Sequence, residues 1–174
     1  MIAWPQAVHR TLKAAGVRAV GYVPEAGHKQ LIELCQADRA MRAVVLSPEE
    51  ERIGLAAGAW LGGMRSALLM QSSGVGNCIN QLGTVRECRF PLLMLVTMRG
   101  QMGEFNPWQV PMGRATPGVL AAMDVAVMEV AAAEAVAPAV DAAARLAFGS
   151  YQAVAVLISQ AVVGIKSFRE QRSQ

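Results

Sequence analysis

The chain has 174 residues and a formal net charge of +3; 53% of its residues are hydrophobic and 17% charged, with a mean hydropathy of +0.32. The length fits one domain with a sizeable core, and the small, dispersed charge excludes the basic stripe of a nucleic-acid binder. The most apolar stretch, 119–140, is broken by Asp124, Glu129, Glu134 and Pro138, so no run reaches the roughly 18 uninterrupted apolar residues of a membrane span. So apolar a composition points to a sheet covered on both faces or to a large permanent interface.

A first helix is expected from Pro5 to Ala15, with Val8, Leu12 and Ala15 on one face and Gly16 ending it. Ala19–Val23 reads as a short buried strand, and Pro24-Glu25-Ala26-Gly27 as a turn before a helix carrying Leu31, Ile32, Leu34 and Cys35. Ala43–Leu46 is a second strand, followed by a third helix to about Leu61. Ser66–Met70 is a third strand, with a helix from about Gly76 to Cys88 after it. Leu92–Val96, apolar throughout, has the pattern of a central parallel strand. The rhythm breaks from Thr97 to about Thr116, where glycines, prolines and two arginines replace apolar periodicity. It resumes with a helix near Pro117–Met123, a strand at Val125–Val130, a helix opened by Pro138 at its first turn, and a last strand at Ala153–Ile158. Six strands alternating with helices predict a single three-layer α/β domain over 1–165, its six-stranded parallel sheet covered by helices on both faces, with a polar tail at 166–174.

Three cysteines (Cys35, Cys78, Cys88) are an odd count without CxxC spacing, which speaks for free thiols rather than a disulfide framework or a zinc site. The first residues lack the basic-then-apolar order of a secretory leader. The expected setting is the cytoplasm.

In a parallel sheet, ligands sit beyond the carboxyl ends of the strands, so the residues following each strand are the site candidates. Ser47-Pro48-Glu49-Glu50-Glu51 opens the third helix. Ser47 suits the N-cap, Pro48 the first helical position, and Glu50 closes a capping box. Capping explains Ser47 and Glu50 better than Glu49, whose carboxylate is placed to exchange a proton with a ligand. The same helix reads Gly54-Leu55-Ala56-Ala57-Gly58-Ala59. Glycine costs roughly 1 kcal/mol relative to alanine within a helix, so close approach by another element is expected there, from this chain or from a partner. Gln71-Ser72-Ser73-Gly74-Val75-Gly76-Asn77 follows the third strand and reads either as a tight structural turn or as backbone N–H donors for an anion or a polar ring. The Rossmann GxGxxG and the P-loop Gly-Lys-Ser/Thr are both absent. In the long loop, Arg99 and Arg114 are suited to hold a carboxylate, sulfonate or phosphonate, or else to pair with a local acid such as Glu104. His28 is placed either to reach the cleft or to contact the helix start.

In order and spacing these segments resemble the pyrimidine-binding domain of thiamine-diphosphate enzymes, closest to the alpha subunits of the sulfopyruvate decarboxylase family, with phosphonopyruvate decarboxylases next. The likeness runs from Gly21-Tyr22-Val23-Pro24 to the last strand. Its most specific parts are Glu49 with Ala57-Gly58 and the run Met70–Asn80, extended by Arg99-Gly100 and Pro111–Thr116. The resemblance implies the thiamine-diphosphate-binding fold and an active-site role for Glu49, hydrogen-bonded to the coenzyme's aminopyrimidine so that its thiazolium carbon is deprotonated and attacks a 2-oxo acid. It places Pro24, Gln71, Ser72, Ser73, Gly74, Gly76 and Asn77 around the coenzyme, and His28, Arg99, Gln109 and Arg114 around a small 2-oxo acid with a second anionic group.

Two departures stand out. The turn after the first strand has Ala26 where many relatives carry an acid, with Glu25 beside it, and Ser72 stands where an Asn is usual. The Gly-Asp-Gly motif that holds Mg²⁺ and the diphosphate is also missing, since Gly-Asp occurs nowhere in the chain. The resemblance therefore implies a beta subunit that carries the diphosphate-binding domain and the Mg²⁺, in an α2β2 or higher heteromer, with the active site at the joint. Alternatives with the same fold are a subunit of an acyloin-forming or aldehyde-transferring enzyme, or a non-catalytic interaction module.

Overall fold

A computed structural model of the chain describes residues 3–164; the tail expected at 166–174 lies outside the described residues. Strands β1 (Val17–Tyr22), β2 (Arg42–Val45), β3 (Arg65–Gln71), β4 (Leu92–Thr97), β5 (Ala126–Val130) and β6 (Ala153–Ile158) form one sheet in the order β2-β1-β3-β4-β6-β5. Every pairing is parallel. Helices α1 (Trp4–Ala14), α2 (Lys29–Ala37), α3 (Glu51–Leu61), α4 (Ser72–Cys88), α5 (Gln109–Ala122), α6 (Ala133–Ser150) and the short α7 (Gln160–Val163) complete the fold.

The strands' alternation sorts the core into two layers. Leu69, Leu93 and Leu95 pack with Val8 and Leu12 of α1, Leu31 of α2, and Val136 and Val140 of α6. Leu68, Met70, Leu92, Met94 and Val96 face the other way, onto Ile53 of α3, Val75, Cys78 and Leu82 of α4, and Leu120 of α5. β4 is buried along its whole length, which explains its unbroken apolar run. The three-layer α/β architecture is as the sequence predicts.

Three local expectations need correction. The segment Ser72–Asn77 is not a turn before a helix: α4 begins at Ser72, so both of its glycines lie in the opening turns of the helix. Small side chains there leave the helical backbone undisturbed and permit close contact from neighbours. The long loop is also shorter, because α5 already starts at Gln109 and contains Pro117. Pro111 lies in that helix's first turn, where a missing N–H costs little. Likewise α6 starts at Ala133 rather than at Pro138, which sits inside it on the exposed side. There water can satisfy the carbonyl that proline leaves unbonded.

Strand order reverses between β1 and β3, since β2 lies to one side of β1 and β3 to the other. The carboxyl ends of β1, β3, β4 and β6 therefore open into one crevice, where such folds bind ligands.

Candidate active site

Glu49 lies in the connection from β2 to α3, and its carboxylate rests on the first turn of α4. A Cβ built on Gly74 would stand 2.5 Å from Glu49 Cγ and 2.9 Å from Oε1, so only glycine admits the carboxylate at this spot. Asn77, one turn along α4, donates its Nδ2 to Glu49 Oε2 at 2.8 Å. Among the described residues no hydrogen bond reaches Oε1; the nearest charged group is the Arg52 guanidinium at 3.9 Å. The side chain of Glu49 is 14% exposed. Two segments that are unremarkable separately thus form one unit, a half-buried carboxylate held at one oxygen and open at the other.

The capping box expected around it is built differently. Glu50 is the N-cap of α3 without a side-chain capping bond, and Ser47 donates its backbone N–H to Glu51 Oε2 at 3.1 Å. The glycines of α3 also find no partner among the described residues: a Cβ on Gly54 or Gly58 would meet nothing within 4 Å.

Beside this unit is a cavity of about 210 Å³, lined among others by Pro24, Glu25, Gln71, Thr97, Arg99 and Gln160. Gln71 connects the two features, because it is also the N-cap of α4. Glu25 is folded back onto its own turn. Its carboxylate accepts hydrogen bonds from the backbone N–H groups of Gly27 and His28, each at 2.7 Å, and from Thr97 Oγ1 at 3.1 Å. His28 Nδ1 stands 2.6 Å from Glu25 Oε1. Burial raises the pKa of Glu25, but His28 and the two backbone donors outweigh it and hold the carboxyl below its ordinary value.

Gly27 is pressed against Thr97, with a Cβ there falling 2.8 Å from Thr97 Cγ2. His28 itself is fully buried behind Glu25, edge-on to Trp4, and does not line the cavity.

Of the residues expected around the substrate, Arg99 alone lines the cavity. It is bound bidentately by Glu104, Nε to Oε2 and Nη2 to Oε1, both at 2.7 Å. That fork, with backbone donors from Asn106 and Gly100, keeps the Glu104 carboxyl well below the usual range despite its burial. Gln109 opens α5 and Arg114 is exposed on that helix, and neither lines the cavity.

Ser72 is fully buried, and its hydroxyl accepts the Arg99 N–H at 3.1 Å, so it anchors the loop. Gly76 packs against Met112 Sδ, and Gly113 against the Arg99 carbonyl, binding α4, α5 and the loop together. Gln101 and Gln160 exchange hydrogen bonds from backbone to side chain in both directions, latching the loop to α7.

Thr97, Gln160 and Arg52 are the site's residues that sequence patterning does not single out. Thr97 had a usable signal, being the first polar residue after an apolar strand. Cys35 and Cys78 are free and buried, burial pushing each thiol up to about 12. Among the described residues no group of three or more His, Cys, Asp or Glu could hold a metal ion, and no helix is long and apolar enough to cross a membrane.

Residues 4–104 match the family described as thiamine pyrophosphate enzyme, N-terminal TPP binding domain. The chain is 40% identical to the sulfopyruvate decarboxylase subunit alpha of Methanothermobacter thermautotrophicus over 121 residues, covering 69% of this chain and 73% of that one. It is 35% identical to the phosphonopyruvate decarboxylase of Streptomyces hygroscopicus over 116 residues, covering 66% of this chain but 29% of that longer protein. Among solved structures, the benzoylformate decarboxylase of Polynucleobacter necessarius superposes with a TM-score of 0.73 at 16% identity, over 97% of this chain and 32% of that one. The 2-oxoglutarate:ferredoxin oxidoreductase of Magnetococcus marinus superposes with a TM-score of 0.77 at 17% identity, over 93% of this chain and 29% of that one. At those identities the two structures speak for the fold alone.

Proposed function

We propose, because this chain belongs to the thiamine pyrophosphate enzymes and within them to the sulfopyruvate decarboxylase alpha subunits, that it contributes the pyrimidine half of an active site completed by a partner subunit. The proposed reaction is decarboxylation of a small 2-oxo acid bearing a second acidic group, as the names of the sulfopyruvate and phosphonopyruvate relatives indicate. The observation that carries this reading is the seating of Glu49 on Gly74 with Oε2 tied to Asn77 and Oε1 open. A half-buried carboxylate with one oxygen unsatisfied is a ready acceptor for a ring N–H, so the residues present fit an aminopyrimidine.

Thiamine diphosphate, when bound, supplies the electron sink that decarboxylation needs. The residues of this chain have narrower tasks. Glu49 holds or receives the proton at the pyrimidine ring nitrogen through Oε1, while Asn77 prevents the carboxylate from rotating away. The opening turn of α4 brings its unpaired backbone N–H groups to the same place. The cavity between Glu25 and Arg99 receives the substrate, and the Thr97–Glu25 contact fixes its floor. With two of its guanidinium nitrogens engaged by Glu104, Arg99 presents a fixed edge to an acid group rather than a freely moving charge.

The described residues contain no donor set for Mg²⁺ and no Gly-Asp-Gly motif. By the family resemblance, the metal and the diphosphate fall to a beta subunit in this reading. Gly54 and Gly58, whose Cβ positions are open among the described residues, offer that partner a face on α3, the helix that follows Glu49.

Isothermal titration of thiamine diphosphate with Mg²⁺ into this chain, the partner and the assembled pair tests the shared site. Tight binding is expected for the pair alone. No binding to the pair, or equal binding to the partner without this chain, overturns the reading.

A further inference from the structure

Arg52 lies at the start of α3 and is fully buried, yet none of its three guanidinium nitrogens has a hydrogen-bond partner among the described residues. A buried cation in that state is costly, and an apolar side chain of similar volume on this face of α3 costs less. Its surroundings explain why a charge is retained. Burial pushes its pKa down, and two carboxylates from two other segments oppose that through space: Glu49 before α3 and Glu25 in the turn after β1. Its ion-pair contact is Glu49 Oε1 at 3.9 Å, too long for a hydrogen bond. Glu50 adds a further negative charge near Cys78.

We propose that Arg52 is a positioning residue for Glu49, a buried counter-charge that draws Oε1 inward over Gly74 without occupying it. The carboxylate is then held by two unlike contacts. Asn77 takes up Oε2 with a hydrogen bond, whereas Arg52 balances the charge from beyond bonding distance, leaving the lone pairs of Oε1 for a ligand donor. Glu25 also acts on the same cation through space. This inference rests on the proposed role of Glu49.

The test uses the assembled pair, with coenzyme affinity measured by isothermal titration and kcat by decarboxylation. Arg52→Met preserves volume and removes charge; Arg52→Lys preserves charge. Arg52→Met is expected to weaken coenzyme binding and lower kcat by roughly 10- to 100-fold, and Arg52→Lys to recover most of both. In a Glu49→Gln background, Arg52→Met is expected to cause no further loss, because the group it acts through is gone. An equal loss in both backgrounds, or Lys behaving like Met, overturns the proposal. Should Arg52→Met fail to assemble, Arg52→Lys decides: near-native binding supports the counter-charge, and failure to assemble or to bind overturns it. If Glu49→Gln alone changes neither quantity, the function proposed for Glu49 fails first, a result distinct from failure of the Arg52 series alone.

Discussion

Gly74→Ala is the most discriminating single methyl in the molecule. The added Cβ would lie 2.5 Å from Glu49 Cγ and 2.9 Å from both Cδ and Oε1, whereas ordinary contact begins at 3.4 Å. Glu49 must therefore retreat by about 1 Å, and a misplacement of that size in a catalytic group costs up to about 100-fold in rate, equivalent to roughly 2.7 kcal/mol of barrier. The atoms in the way belong to a flexible side chain, and alanine is the better helix former by roughly 1 kcal/mol, so the fold should tolerate the change. The expected result is an assembled pair with a thermal midpoint close to wild type and kcat reduced about 100-fold. Gly118→Ala in α5, where a Cβ would meet nothing within 4 Å, is the control, with activity retained. Wild-type turnover by Gly74→Ala would refute the seating of Glu49 on α4.

Other perturbations address the surrounding scaffold. Glu104→Ala removes the acceptor of both Arg99 bonds and of Gln160 Nε2; a loss of about 3 kcal/mol in stability is expected from breaking a largely buried pair, measured by denaturant unfolding of the pair. Because the folded pKa values of Glu25 and Glu104 are depressed, their contribution is fully present above the ordinary Glu value of about 4.3. It is lost as pH falls through the lower folded values. Thermal midpoints should thus drop on acidification below about pH 4.5, and Glu104→Gln should flatten that drop; an unchanged slope would contradict the assignment. Alkylation of the native protein should label Cys88 and spare Cys35 and Cys78, which are buried with thiols pushed up to about 12. Intact mass reads the number of adducts, and three would contradict that burial.

The strand ladder was legible because its apolar runs are local and strong: Leu92–Val96 reads as a central strand and is one. Helix starts were less so. Pro117 and Pro138 look like first-turn prolines, yet both lie inside helices whose earlier residues, including Gly113 and a run of alanines, have no amphipathic stripe to announce them. Gly74 and Gly76 suggest a turn, although helical packing around Glu49 and Met112 is what requires them. The pairing of Glu49 with Asn77 spans 28 positions, and no periodicity connects them; only the family resemblance put both in one site. Arg52 is the clearest gap. In sequence it is one more charge among Glu49, Glu50 and Glu51, and nothing there announces its full burial. Arg99 had two open readings, and pairing with Glu104 is the contact the fold makes.

Turnover of the Glu49→Gln variant in the assembled pair tests most sharply whether the Glu49 carboxylate does the proton work at the pyrimidine. Glutamine keeps the shape and the Asn77 neighbourhood but not the ability to hold a proton at Oε1. The expected result is an assembled complex whose decarboxylation of a sulfonate- or phosphonate-bearing 2-oxo acid falls by about three orders of magnitude, roughly 4 kcal/mol of lost barrier reduction. Decarboxylation at the wild-type rate would contradict it and leave this chain a scaffold for chemistry carried out entirely by its partner.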